Sequence, residues 1–258
     1  MLNKMAILQL GKCRVCISPL FAIVEIVIIS CCIQAIAAIH DLGLHSIDHM
    51  VISFLILVGS MGCLFMHEYA HVLAAQRMGL TVREIIVSLY GAYTSLDGEP
   101  LQPKEALVVS IAGPVSNILA GIILYAGHLA FLKSDIISTV FFCLSIFNGV
   151  LSAYNLMPVM PLDGGMIVRS TLWLLSGNWT WSTRRALLIG NGFAVVCIIA
   201  GIILIFMHTA IMSAVSFLLG LSLWQNDKLV YQQMLTANIL NIVNPKGYRK
   251  EVMRDAVR

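Results

Sequence analysis

Long apolar runs alternate with short polar stretches along most of the chain. A run of about 20 apolar residues is long enough to cross a hydrocarbon core of about 30 Å as an α-helix. Six runs reach or approach that length, and each predicts a transmembrane helix: 17–39, 50–76, 106–131, 136–157, 187–206 and 209–226. The pattern therefore predicts an all-α polytopic membrane protein with about six spans, whose residues 17–226 form the membrane core.

The composition agrees with that pattern. The chain of 258 residues is 59% hydrophobic and only 11% charged, whereas a soluble domain carries about 25% charged residues. If the N-terminus is cytoplasmic, every Lys and Arg except Lys133 falls in or beside a cytoplasmic segment, as the positive-inside rule requires. We therefore expect a multi-pass protein of the cell membrane with a cytoplasmic lead (1–16) and a basic cytoplasmic tail (227–258). The net charge of +3 is a topology signal, and no nucleic-acid partner is expected.

One segment departs from the helical pattern. Residues 81–100, TVREIIVSLYGAYTSLDGEP, are rich in β-branched and aromatic residues and end in turn-forming residues. They predict a short β-hairpin or edge strand beside the membrane, after the second span. An exposed strand edge can bind an extended peptide through main-chain hydrogen bonds. The alternative is that this segment only covers the transmembrane helices and binds no peptide.

The second span contains HEYAH, residues 67–71. Residues at i and i+4 lie on one face of a helix, so His67 and His71 can direct two imidazole nitrogens at one point. Glu68 can reach a water at that point and act as a general base, as in zinc peptidases with this spacing. The alternative is a hydrogen-bonded polar cluster that joins helices, which does not account for the spacing. Charged groups inside a span are costly, and a metal ion offsets that cost.

A catalytic zinc takes three protein ligands and leaves the fourth position to water. Candidates for the third ligand are Asp163, Glu25, Glu105 and His128. The histidine pair lies roughly 10 Å below the cytoplasmic interface, at 1.5 Å per residue from the end of the span. Asp163 follows a span that ends on the same side, whereas His128 lies toward the opposite side. Depth in the membrane therefore favours Asp163 as the third ligand. Glu25 in the first predicted span remains an alternative candidate.

Three motifs occur in order on these spans: HEYAH, then AGPVSN (112–117), then NLMPVMPLDGG (155–165). In this order they resemble the site-2 protease family of intramembrane zinc metalloproteases, over residues 15–225. The resemblance implies one Zn²⁺ per chain and a membrane protein as substrate. The roles that it implies are zinc ligation by His67, His71 and Asp163, general-base catalysis by Glu68, binding of substrate or oxyanion by Asn155, and pairing of substrate with the strand segment at Val87, Leu89 and Gly91.

The layout resembles the six-span members of the sporulation type. The short link after the third predicted span leaves no room for a PDZ module, and the tail is too short for a CBS pair. We therefore expect a bare catalytic core, regulated by partner proteins in the bilayer. The predicted activity is cleavage of substrates within or next to membrane segments, for example to release a membrane-held transcription factor. A metal transporter or metal sensor is the alternative, and the roles of Glu25 and of the Cys13/Cys16 pair stay open.

Overall fold

The computed structural model describes residues 5–10, 13–17, 46–88, 91–97, 102–133, 135–206 and 220–221, and most of them are helical. The elements in chain order are strands β1 (Met5–Leu10) and β2 (Cys13–Ile17), helix α1 (Ser46–Arg77), strands β3 (Thr81–Ser88) and β4 (Gly91–Asp97), and helices α2 (Pro103–Ala130), α3 (Asp135–Asn155), α4 (Asp163–Ser176) and α5 (Trp179–Phe206).

Four helices are long and apolar enough to cross a membrane. They are Met50–Arg77, Pro103–Ala130, Ile136–Asn155 and Trp179–Ile203. These helices correspond to the second to fifth predicted spans, so the chain is a multi-pass membrane protein. The first and sixth predicted spans lie outside the described residues, apart from Ile17 and residues 220–221. The total of six spans therefore remains a prediction.

The described residues of 1–97 and 112–153 form one compact unit. Its apolar core joins α1 to α3 through Ile52, Ile56, Val140 and Leu144. Gly59 permits this approach, because a Cβ there would lie 2.6 Å from Leu144 Cδ1. Close contact through small residues is how membrane helices associate, since lipid offers no hydrophobic drive between them.

The strands of this unit form a sheet in the order β1-β2-β3-β4. β3 runs antiparallel to β4 and parallel to β2, so Val87 pairs with both Ala92 and Ile17. The strand edge predicted near Val87 is therefore already paired on both sides, and β4 forms the outer edge of the described sheet. The local pattern did not reveal this, because β2 pairs with a segment about 70 residues away. The lead predicted for residues 1–16 contains β1 and most of β2.

The remaining described residues, from 102–111 and from Tyr154 onward, belong to a second compact unit. Its helix α4 lies in a stretch for which the sequence pattern predicted no helix. Asp163 stands in the first turn of α4, where the helix dipole favours a carboxylate. The next two residues are buried glycines that contact backbone: a Cβ on Gly164 would overlap the Leu156 carbonyl, and one on Gly165 would lie 2.5 Å from Val159 C. The Asp-Gly-Gly sequence therefore lets the start of α4 lie directly against the preceding loop.

Helix α5 begins eight residues before the predicted fifth span. Asn178 explains the earlier start, because its Oδ1 accepts a hydrogen bond from the Trp181 backbone N–H at 3.0 Å and so caps the first turn. The guanidinium of Arg185 lies 5.5 Å from the centre of the Trp181 ring. This cation–π contact matches the interfacial position of a tryptophan at the end of a span.

Candidate metal centre

The two histidines and the glutamate of the HEYAH turn of α1 are buried within the protein. His67, Glu68 and His71 are 3%, 4% and 7% exposed. The two imidazole rings meet edge to face, with centroids 4.8 Å apart, and their Nε2 atoms are 3.2 Å apart. The helix thus directs two ring nitrogens at the same point, as the i, i+4 spacing predicts.

This separation fits a shared metal ion. Two nitrogens bound to one tetrahedral zinc at 2.0–2.1 Å lie about 3.3 Å from each other, close to the 3.2 Å between the two Nε2 atoms. Glu68 Oε1 lies 4.0 Å from His67 Nε2. At that distance the carboxylate can hydrogen-bond a water placed between itself and the imidazole nitrogens.

Helix α2 approaches the HEYAH turn at Gly113. A Cβ at this position would overlap His71 Nε2 and would lie 2.6 Å from His71 Cε1 and 2.7 Å from His67 Cε1. Both rings therefore rest against the backbone of α2, with no space for a side chain between them. Gly113 is what allows the imidazoles to take their positions.

One turn further along α2, Asn117 contacts His67 of the same histidine pair. Its amide nitrogen is 2.9 Å from His67 Nδ1, and the side chain is fully buried. The Asn117 amide therefore lies against the nitrogen of His67 that faces away from His71. A hydrogen bond there fixes both the ring orientation and the position of the ring proton.

Only one group of His, Cys, Asp and Glu side chains among the described residues has the spacing of a metal site. It consists of His67, His71 and Asp163; the two histidines belong to the first compact unit and Asp163 to the second. Two imidazoles and one carboxylate form a donor set that zinc accepts. The sequence had named these three residues, and the site could hold a metal ion.

The other candidates for a third ligand have different partners or lie outside the described part. Glu105 Oε2 accepts a hydrogen bond from the Gln102 backbone N–H at 3.0 Å, at the start of α2. His128 Nδ1 is 2.8 Å from Ser138 Oγ, near the far end of α2. Glu25 lies outside the described residues.

The residues predicted to bind substrate lie in two places. Asn155 is the last residue of α3 and is partly buried. Val87 belongs to the interior strand β3, and Gly91 opens the edge strand β4. Leu89 lies outside the described residues.

Sequence reasoning did not assign Gly113 and Asn117 to the site. It used them only as part of the AGPVSN motif. Their i, i+4 spacing in AGPVSN matches that of His67 and His71 in HEYAH. Two helices with the same spacing can meet at two contacts that are one turn apart. The shared i, i+4 spacing is therefore the sequence signal that points to both residues.

Comparison with known proteins identifies the family of the chain. The model of Peptidase family M50 matches residues 53–134 and 130–199, which include HEYAH, AGPVSN and the Asp-Gly-Gly motif. The chain belongs to this family. A solved structure, the Site-2 Protease from Methanocaldococcus jannaschii, matches with a TM-score of 0.57 at 21% identity, over 88% of this chain and 94% of that chain. At this identity the likeness establishes the fold.

Several curated relatives share part of the sequence. A candidate zinc metalloprotease of Synechocystis is 32% identical over 170 residues, which are 62% of this chain and 42% of that protein. The candidate zinc metalloprotease Rip3 of Mycobacterium tuberculosis is 34% identical over 142 residues, 54% of this chain and 36% of Rip3. Zinc metalloprotease MJ0392 of Methanocaldococcus jannaschii is 29% identical over 138 residues, 54% of this chain and 40% of MJ0392. The matches thus span less than half of each relative.

Proposed function

We propose that the protein is a zinc-dependent endopeptidase that hydrolyses peptide bonds within or beside membrane segments of other proteins. The observation that carries this proposal is the HEYAH turn: two buried imidazoles with Nε2 atoms 3.2 Å apart and a carboxylate in the same turn. Membership of Peptidase family M50 and the names of the curated relatives support the same chemistry.

In this proposal His67, His71 and Asp163 hold one zinc ion per chain. Bound zinc supplies an activated water with a pKa of about 7 and polarises the scissile carbonyl. Glu68 accepts the proton of the attacking water and later transfers it to the leaving amine.

Substrate binding needs an extended peptide. A helical membrane segment keeps its carbonyls in internal hydrogen bonds, so the scissile region must unwind before attack. β4 (Gly91–Asp97) has a described neighbour on one side only, and its outer edge could pair with an extended substrate. Asn155 would donate its amide N–H to the developing oxyanion, a contribution of about 3 kcal/mol by comparison with similar donors.

A pair of substitutions tests the catalytic role of Glu68. Glu68→Gln keeps the size and burial of the side chain but removes the base. We expect it to retain stoichiometric zinc and to abolish cleavage. Glu105→Gln is the matched control, since it makes the same change in an acidic residue whose described hydrogen bond is with the Gln102 backbone N–H at the start of α2. Its cleavage should equal that of the wild type.

Cleavage can be measured without a known substrate. Membranes from cells that express each variant are compared by quantitative N-terminal proteomics, and zinc in each purified protein is measured by mass spectrometry. New N-termini inside apolar segments should appear with the wild type and Glu105→Gln. They should be absent with Glu68→Gln, and their persistence at the wild-type level would refute the base assignment.

A metal transporter is the second candidate and predicts ligands spread across the membrane. Against this candidate, the two histidines lie at one depth of a single helix, with Nε2 atoms 3.2 Å apart, and the proposed ligand set has no members spread along a path. Proteoliposomes with an internal zinc indicator separate the two functions. We expect no zinc influx above that of empty liposomes.

The physiological setting follows from the same proposal. With both termini in the cytoplasm, residues 17–226 would form the catalytic core between a lead and a basic tail. The active site would open toward the cytoplasm, and cleavage would release cytoplasmic fragments such as a membrane-held transcription factor. Other membrane proteins would regulate substrate access. Labelling of a cysteine introduced into each tail with a membrane-impermeant thiol reagent, in intact cells and in permeabilised cells, tests the orientation.

A further inference from the structure

We infer that Asn117 is a positioning residue of the metal centre, whose amide oxygen accepts the Nδ1–H hydrogen bond of His67 and thereby directs the Nε2 lone pair at the metal. This inference rests on the proposed zinc site and deepens it. No motif assigned this role to Asn117. The role follows from contacts between α2 and α1.

Asn117 has two groups that differ in their partners. Its amide nitrogen position lies 2.9 Å from His67 Nδ1. Its Oδ1 is buried and has no hydrogen-bond partner among the described residues. The oxygen and nitrogen of an amide have nearly the same shape, so which of them faces the histidine is decided by the hydrogen-bond network. Rotation of the amide by half a turn places Oδ1 against Nδ1 at the same distance.

The protonation of His67 selects between these two orientations. A neutral imidazole carries one N–H, and the other nitrogen has a lone pair. If the amide N–H donates to Nδ1, the proton must be on Nε2, which then donates to His71 Nε2 at 3.2 Å. That network gives the two facing Nε2 atoms a hydrogen bond without a metal. It leaves His67 Nε2 no lone pair with which to bind a metal ion.

Metal binding requires the opposite arrangement. Both Nε2 atoms must present lone pairs, so His67 carries its proton on Nδ1. The Asn117 amide lies at Nδ1, and with its oxygen turned inward it accepts the Nδ1–H hydrogen bond. Because an amide can donate or accept, Asn117 serves both states, and its oxygen holds the imidazole in the ligating tautomer. Metal-bound histidines commonly use such a second contact, and its loss typically weakens metal binding about 10- to 100-fold.

Two substitutions separate this role from helix packing. Asn117→Leu keeps the branched shape of the side chain but removes the acceptor, whereas Asn117→Asp keeps the acceptor and removes the amide donor. If the amide oxygen positions His67, Leu weakens metal binding and Asp restores it. If Asn117 only joins helices through its N–H groups, Asp fails as Leu does.

Asn148 provides a matched control. It is also fully buried in a spanning helix, and its Oδ1 likewise lacks a partner among the described residues. Its amide nitrogen contacts Cys63 Sγ at 3.0 Å and the Leu144 carbonyl at 2.8 Å, with no histidine involved. Asn148→Leu therefore removes an equally buried amide without touching the metal centre.

The experiment measures Co²⁺ binding to the full chain in detergent. Affinity is obtained by competition with a chromophoric chelator, and size-exclusion chromatography and far-UV circular dichroism check folding. We expect Asn117→Leu to bind Co²⁺ about 10- to 100-fold more weakly than the wild type. Asn117→Asp and Asn148→Leu should bind close to the wild-type affinity.

The outcomes distinguish this inference from the proposed function. Two results would overturn the role of Asn117 alone, provided that the wild type binds Co²⁺. One is an Asn117→Leu protein with the wild-type affinity. The other is an Asn117→Asp protein that binds Co²⁺ as weakly as Asn117→Leu. Absence of Co²⁺ binding by the wild type overturns the zinc site and this inference with it. Should Asn117→Leu fail to fold, ring ¹⁵N NMR of the zinc-loaded wild type decides the matter: a proton on His67 Nδ1 supports the inference, and zinc on Nδ1 overturns it.

Discussion

Gly113→Ala is the sharpest test of the way in which α2 meets the HEYAH turn. The added methyl would lie 2.6 Å from His71 Cε1 and 2.7 Å from His67 Cε1, whereas ordinary contacts begin at 3.4 Å. The His67 ring would have to withdraw by about 0.7 Å and the His71 ring, whose Nε2 the methyl overlaps, by more, or α2 would have to move by a similar amount. Metal–ligand distances tolerate deviations of about 0.2 Å. The substitution therefore displaces both ring ligands well beyond what a metal site accepts.

The expected loss follows from that overlap. Inserting a methyl group into a tightly packed region costs about 1–3 kcal/mol. If most of this cost is relieved by moving the imidazoles, metal affinity falls about 10- to 100-fold, since each 1.4 kcal/mol is a factor of ten. Co²⁺ affinity of the purified protein, measured by chelator competition, reports the loss directly. Peptide cleavage should fall in parallel.

Gly149→Ala is the control for Gly113→Ala. It makes the same change in spanning helix α3, but a Cβ at Gly149 meets nothing within 4 Å. We expect unchanged Co²⁺ affinity and a slight gain in stability from helix propensity. A folded Gly113→Ala protein that binds Co²⁺ as tightly as Gly149→Ala would refute the close approach of α2 to the two histidines.

Three further predictions concern the remaining parts of the proposed site. Asn155→Ala should lower kcat about 10²- to 10³-fold while leaving Co²⁺ affinity unchanged, because an oxyanion donor acts mainly in the transition state; an equal loss of metal would contradict this role. Asp163→Ala should abolish high-affinity zinc binding, and chelator-treated wild type should regain cleavage when zinc is returned, whereas cleavage by the metal-free protein would rule out the hydrolytic mechanism. Proline substitutions along β4 that remove outward-facing N–H groups should reduce cleavage without changing metal content, and unimpaired cleavage by all of them would exclude substrate pairing at this edge.

The membrane architecture was predictable where the signal is local. Spanning helices need only a sufficient length of apolar residues, so four predicted spans coincide with four long apolar helices. Helix α4 was missed because the prolines and glycines around Asp163 are typical of loops. Its start is stabilised instead by close backbone contacts at Gly164 and Gly165, which no pattern along the chain encodes.

The sequence by itself determined the chemistry of the site. The four-residue spacing of His67 and His71 directs two imidazoles at one point on any regular helix, with Glu68 beside them, and the Asp-Gly-Gly motif supplies a carboxylate. Tertiary structure alone decided what surrounds these groups: Gly113 gives the rings their space, Asn117 meets His67 Nδ1, and β2 occupies the edge of β3. The physical reason is separation along the sequence. Helical periodicity relates residues within one turn, whereas the contacts with α2 and β2 join segments about 50 to 70 residues apart.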